Sequence, residues 1–329
     1  MELTGGLGNQ LFQFQAALLA SRINNVELFI NATNVLNTHD KFGILSLNLP
    51  FNNIYLGKEI HSGISRKYTF NQNSTLENWP FLESTPIYKE SLENPSELIN
   101  RTLTENTILR GYFQSSVISK YFGERYDDLW NLTSNCNCNY SQRLKKYILE
   151  SDPIIIHVRG GDYLFNPLVW GRLSLAYYSK AKKLLTQKNS DSFLIFTDDP
   201  RSITKEFLQI FSGHEIIVSS RRNCNNASCT LITMSLGKRF IIANSTFSWW
   251  AAFLSKSNEV VSPSEFYRTG DVNLERYPAV WRQTASNWDL SPQRRKVRMQ
   301  KSLWEIRKRA RLRTRFLTIT KFFSRRGSK

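Results

Sequence analysis

Four short stretches of this sequence place reactive side chains beside glycines or at helix starts. The first is His157-Val158-Arg159-Gly160-Gly161-Asp162-Tyr163, where an apolar run delivers a histidine, an arginine and an aspartate into a glycine-flexible loop. A guanidinium presents a planar fork of N–H donors that suits phosphate oxygens. His157 is a candidate base or orienting donor. Asp162 is placed to hold the arginine or a sugar hydroxyl. The bland alternative is a structural Arg–Asp pair at a strand end. The second stretch is Thr197-Asp198-Asp199-Pro200. Its carboxylates could bind metal or act as bases. An Asp before Pro is equally an ordinary helix N-cap. The third is Asn244-Ser245-Thr246-Phe247-Ser248-Trp249-Trp250, three hydroxyl residues at a helix start, where unbonded N–H groups and the helix dipole favour an anion. Plain N-capping by Ser245 or Thr246 is the alternative. The fourth is Gly5-Gly6-Leu7-Gly8-Asn9-Gln10, a glycine-rich turn that feeds a helix. Leu11 stands where the third glycine of a G-x-G-x-x-G would be, so it is weak as a dinucleotide fingerprint. Its glycines still allow a ligand or another backbone to come close.

The elements that must position these residues are clear after residue 150. Apolar runs of strand length recur at Ile154–Val158, Phe193–Phe196, Ile216–Val218, Phe240–Ala243 and Val260–Val261. Segments of helical length lie between them, at 174–188, 201–211, 228–237 and 246–255. Strands alternating with helices predict βα units and a parallel sheet. Ligands of such sheets bind beyond the strand carboxyl ends, where the first three stretches fall. Upstream, Leu7, Leu11, Phe14 and Leu18 share one helical face. Ile108–Phe113 reads as a strand and turn, and the polar stretch 134–140 as a linker.

Charge narrows the function classes. Of 44 Lys and Arg, 15 fall in residues 291–329, which hold one of the 27 acids. The remaining 29 bases face 26 acids, so the body is nearly neutral, which weakens a reading of it as a nucleic-acid surface. In the tail, Met299, Leu303, Ile306 and Ala310 share a helical face against Arg and Lys. Such a basic amphipathic segment reads as a contact for an anionic membrane surface, with a solvated tail as the alternative. No run approaches the ~20 apolar residues of a membrane span. The N-terminus shows no signal-peptide pattern, so a cytoplasmic protein is expected, peripheral at the inner face of a membrane. The cysteine spacings, C-x-C and C-x₄-C, are not those of common zinc modules, and free thiols are expected. No D-x-D triplet occurs, so the usual cue for a metal-held sugar nucleotide is absent.

An arginine loop and a hydroxyl-rich helix start at the ends of one parallel sheet together describe a diphosphate pocket. The blocks GGLGNQLFQ (5–13), GYFQS (111–115), HVRGGDY (157–163), FTDD (196–199) and NSTFSWWAAFL (244–254) resemble glycosyltransferase family 11, the α-1,2-fucosyltransferases. The resemblance implies an α/β fold of the GT-B type, with two Rossmann-like domains and parallel sheets. Residues 1–150 would form the acceptor-side domain, 151–290 would bind GDP-fucose, and 291–329 would be the basic tail. It implies inverting transfer of L-fucose from GDP-β-L-fucose to the 2-hydroxyl of a galactose-type acceptor. A lipid-linked acceptor would give the tail a purpose. No cofactor and no metal are expected. Arg159 would hold the β-phosphate, with His157 and Asp162 shaping its loop and Asn9 across the cleft. Gly6, Gly8, Asp198, Asp199, Asn244, Ser245, Thr246 and Ser248 would complete the substrate site. The proton acceptor stays open among Asp162, His157 and a water held by Asn9.

Two departures from the family pattern stand out. Gly160 replaces the second arginine of His-x-Arg-Arg-Gly-Asp, which predicts weaker nucleotide affinity. Only four residues precede the glycine turn, which predicts a missing or shortened first strand. The rival readings are another GDP-sugar or a protein hydroxyl as substrate, a non-catalytic binding homologue, and a nucleic-acid binder acting through the tail.

Overall fold

In the computed structural model the described residues are 1–32, 43–49, 54–55, 87–103, 107–126, 132–134, 138–164, 167–186, 191–220 and 222–289. The basic tail therefore lies outside them. In chain order the N-terminal part contains α1 (Leu7–Asn24), β1 (Ile30–Asn31), β2 (Ile54–Tyr55), β3 (Ile87–Lys89), β4 (Ile108–Arg110), α2 (Ser116–Arg125) and α3 (Asn139–Ser151). The remainder alternates β5 (Ile154–Val158), α4 (Leu175–Leu185), β6 (Phe193–Thr197), α5 (Lys205–Gln209), β7 (Ile216–Ser220), α6 (Ala227–Met234), β8 (Arg239–Ile241), α7 (Thr246–Leu254), β9 (Glu259–Pro263) and β10 (Arg282–Thr284).

The last six strands form one parallel sheet in the order β10-β9-β8-β5-β6-β7. This is the doubly wound order, which reverses between β5 and β8. Successive side chains point to opposite faces, and both faces are covered. Ile155, Leu194, Phe240 and Val260 enter a core shared with α1 and α7. Ile154, Ile156, Phe193, Ile195 and Ile241 enter a second core with Tyr177, Tyr178 and Phe207 of α4 and α5. Unbroken apolar runs are what a strand buried on both faces needs, which is why these strands are visible in the sequence.

The chain is thus an α/β protein with parallel sheets. In the N-terminal part the described strands form two parallel pairs, β1 with β2 and β3 with β4. Glu2 makes a parallel bridge to Asn31, so the shortened first strand is a single bridge before the glycine turn. Residues 138–140, expected to be linker, instead start α3, with Cys138 at its N-cap.

Helix α1 also differs from the one-faced helix expected. It is buried on all sides over a continuous stretch, from Gln10 through Ala20. Its glutamines are bonded inside the protein: Gln10 Nε2 donates to Gly5 O at 2.7 Å, Gln13 Nε2 to Gly111 O at 3.0 Å, and Gln15 Oε1 accepts from Ser119 Oγ at 2.8 Å. Each buried amide thus has at least one bonded end, while Gln15 Nε2 has no hydrogen-bond partner among the described residues. Phe12 packs against Trp249 and Trp250, with ring centroids 4.6 and 4.9 Å away, which holds α1 onto α7. The two tryptophans are therefore core.

Candidate active site

Strand β5 ends at Val158, and the chain turns at once into Arg159-Gly160-Gly161. The turn wraps around Asp198 at the end of β6. Asp198 Oδ2 lies 2.8 Å from Arg159 Nη1, and Asp198 Oδ1 accepts the Gly160 N–H at 2.8 Å. Gly161 has φ of +24°, and a Cβ there would stand 2.3 Å from Asp198 Oδ2. Asp198 is thus a partner of Arg159. The backbone of Asp162 lies in the short 3-10 turn that follows, and its side chain lies outside the described residues. The Arg159 guanidinium sits over the Tyr163 ring at 5.2 Å, and Tyr163 Oη donates to Asn244 O at 2.6 Å. The loop after β5 is thereby tied to the loop after β8.

That second loop leads into α7. Ser245 occupies the N-cap but makes no side-chain capping bond. The N-cap of α1, Gly6, has no side chain to make one. Gly8 brings these two helix starts together: a Cβ there would stand 2.5 Å from Thr246 C and 2.6 Å from Phe247 N. Two helix N-termini, neither capped by its own side chain, thus converge beside Arg159. Their partial positive charges add to that of the guanidinium.

These elements line a cavity of about 500 Å³ over the carboxyl ends of β5 to β8, large enough for a sugar nucleotide's size class. Of the residues singled out in the sequence, Gly6, Gly8, Asn9, His157, Arg159, Asp198, Ser245 and Thr246 line it. Three others do not. Asp199 is buried and caps the 3-10 turn Pro200–Ser202, accepting from Arg201 N at 3.2 Å and Arg201 Nε at 2.8 Å. Asn244 Nδ2 donates to Trp170 O at 2.9 Å and Phe266 O at 3.0 Å, so it ties loops together behind the cavity. Ser248 Oγ turns back to Ser245 O at 3.2 Å.

His157 is buried and lines the cavity, and among the described residues its Nδ1 has no hydrogen-bond partner. Burial lowers its pKa to about 4, with Asp198 opposing the shift and Arg159 adding to it. The imidazole is therefore neutral near pH 7. Beyond β6, the wall is built by Ser219 and Ser220 at the end of β7 and by Cys224, Ala227 and Thr230 around the start of α6. Cys138 and Cys224 are free thiols. These wall residues carry no motif in the sequence, and their one local signal is a pair of hydroxyls at a strand carboxyl end. Tyr112 and Gln114 reach the cavity from the N-terminal part, and Phe266 and Tyr267 from the loop after β9.

The sequence profile described as "Glycosyl transferase family 11" matches residues 2–267. The O-antigen biosynthesis glycosyltransferase WbnK of Escherichia coli is 28% identical over 296 residues, spanning 80% of this chain and 93% of its own length. The alpha-1,2-colitosyltransferase of Escherichia coli is 26% identical over 289 residues, spanning 85% of this chain and 96% of its own. Among solved structures, a mutant FUT1 of Arabidopsis thaliana in complex with GDP is 13% identical, with a TM-score of 0.41 over 78% of this chain and 68% of that one. Matched over most of its length, and with its glycine turn, arginine loop and hydroxyl-rich helix start gathered on one cavity, the chain belongs to glycosyltransferase family 11.

Proposed function

We propose that this glycosyltransferase moves L-fucose from GDP-β-L-fucose to the 2-hydroxyl of a galactose-type acceptor, with inversion and without a metal. The observation that carries the reading is the meeting of Arg159 with the starts of α1 and α7 around one cavity. These are fixed donors aimed at one place, which suits a diphosphate. As the bond from the sugar C1 to the phosphate oxygen breaks, negative charge grows on the β-phosphate. Arg159, held by Asp198, stabilises that charge without reorganising, the role a metal has elsewhere. The attacking hydroxyl enters from the side of Asn9 and passes its proton to one of three acceptors: His157, Asp162 or a water held by Asn9. Neutral His157 keeps a ring nitrogen able to take up a proton, and its Nδ1 has no hydrogen-bond partner among the described residues.

A second donor is favoured by the relative named an alpha-1,2-colitosyltransferase. Colitose is the 3-deoxy counterpart of L-fucose, so the two donors differ at one hydroxyl. Membrane contact through the tail, a lipid-linked acceptor and a cytoplasmic location belong to the same proposal. No helix among the described residues is long and apolar enough to cross a membrane.

The test is GDP release from GDP-fucose in EDTA, with and without lactose, followed by NMR of the product. Lactose-dependent release with a new α-1,2 linkage supports donor, acceptor class and metal independence together. Preference for GDP-colitose in direct competition replaces the first donor by the second. The absence of both GDP release and GDP binding would reject the reading.

A further inference from the structure

Asn9 lines the cavity from the start of α1, and what it offers a substrate depends on which way its amide is turned. Its Oδ1 accepts from Gln114 Nε2 at 2.9 Å. The other end of the Gln114 amide, Oε1, accepts from Arg276 Nη1. Arg276 is buried and bonded through Nε and Nη2 to both carboxylate oxygens of Asp271, the Nη2 bond being 2.9 Å. Its guanidinium also lies 4.4 Å from the Phe266 ring centroid.

The polarity of this series follows from its first member. A guanidinium has donors only. It must therefore meet the oxygen of Gln114. The Gln114 nitrogen then faces Asn9, and it must meet the oxygen of Asn9. The Asn9 nitrogen is left for the cavity side, where it lies 2.7 Å from the point at which a Cβ on Gly5 would stand. A buried guanidinium keeps its partners because an uncompensated charge there is costly.

The segment that carries Arg276 is anchored to the N-terminal part at several points. Asn273 Nδ2 donates to Gln114 O at 2.9 Å, and Ser116 N donates to Glu275 O at 2.7 Å. Glu275 Oε2 accepts from Ser96 N at 2.9 Å and from Ser115 Oγ at 2.5 Å.

We infer that Arg276 and Gln114 are positioning residues that hold the Asn9 amide with its N–H₂ edge toward the substrates, as a neutral donor to a sugar or phosphate oxygen. The distant pair Arg276–Asp271 thus sets the chemical face that α1 shows the reaction. The inference rests on the transfer reaction proposed above.

Gln114→Glu tests it. A carboxylate can accept from Arg276 at least as well as an amide can. It cannot donate to Asn9, so the Asn9 amide must rotate and turn its oxygen to the cavity. Because Gln114 itself lines the cavity, plain charge repulsion of the diphosphate would appear as weaker GDP binding, whereas the relay acts on kcat. The expected result is a fall in kcat of ~10–100-fold, the scale of one misdirected charge-stabilising donor. KM for GDP-fucose and GDP affinity stay within threefold, and the thermal midpoint is retained. Gln114→Met removes both bonds without forcing the rotation, and is expected to lose less. Wild-type kcat in Gln114→Glu would overturn the relay, and so would a loss that Gln114→Met matches. If Gln114→Glu does not fold, wild-type kcat in Gln114→Met overturns it. If the wild type consumes no GDP-fucose, the donor reading fails, and the same variants are compared on the GDP-sugar it does consume.

Discussion

Asp198 holds the arginine loop by both carboxylate oxygens, one on Arg159 Nη1 and one on the Gly160 N–H, each at 2.8 Å. The ion pair is largely enclosed, with side-chain exposures of 20% for Arg159 and 9% for Asp198. One carboxylate therefore fixes both the charge and the backbone of the turn. Arg159→Ala is expected to lower kcat by at least ~10²-fold, the cost of losing one charge-stabilising donor. Asp198→Asn keeps one acceptor and loses the other, and is expected to lose ~10-fold, the scale of one charge-assisted hydrogen bond. Steady-state GDP release measures both. Activity within threefold of wild type in Arg159→Ala removes that residue from its role.

Gly8 is where α1 and α7 touch. A Cβ at this position would lie 2.5 Å from Thr246 C, which is backbone and cannot rotate away. Alanine is the better helix former by ~1 kcal/mol, but overpacking costs ~1–3 kcal/mol, so the clash is expected to prevail. Gly8→Ala should lower the thermal midpoint and weaken GDP binding as the two helix starts part. Gly6→Ala is the stability control, since nothing lies within 4 Å of its Cβ position. Equal thermal midpoints for the two variants would contradict the packing argument.

Gly160 stands where the family pattern has an arginine. A Cβ here would meet Ser202 Oγ at 2.4 Å and Asp199 Cβ at 2.9 Å. The serine can turn, whereas the Asp199 Cβ is fixed by its capping role. Restoring the family residue is therefore expected to cost ~1–3 kcal/mol of stability and to leave GDP affinity no higher. Calorimetric GDP titration of Gly160→Arg decides this, and tighter binding in a stable variant would refute it.

His157 makes stability depend on pH in a defined window. The unfolded chain takes up the imidazole proton near pH 6.5, the folded chain only near pH 4, because burial penalises the charged ring. Between these values the unfolded state binds more protons, so stability rises with pH. The contribution is complete above about pH 6.5 and is lost as pH falls toward 4. Its size is ~3 kcal/mol, at ~1.4 kcal/mol for each factor of ten in proton affinity. Urea unfolding across this range should show the slope in wild type and a flatter one in His157→Gln. Parallel slopes would assign the dependence to other groups.

The doubly wound half is legible from residue order. A strand covered on both faces has to be an apolar run, so Ile154–Val158 and Phe193–Phe196 can be read directly, and with them the loops at their carboxyl ends. The edge strand β10 cannot, because Arg282-Gln283-Thr284 is largely exposed and carries no apolar signature. Nor can the burial of α1 on all sides, since Gln10, Gln13 and Gln15 read as polar until their partners are known. Within the site, packing in three dimensions chose which polar group meets which. Asp198 took Arg159, Asp199 turned to Arg201, and Asn244 and Ser248 turned to backbone oxygens. Arg276, 162 residues from Gln114 in the chain, came to orient Asn9. Periodicity records burial because every residue of an element contributes to it, whereas a hydrogen bond joins two atoms whose nearness in space leaves no local mark on the chain.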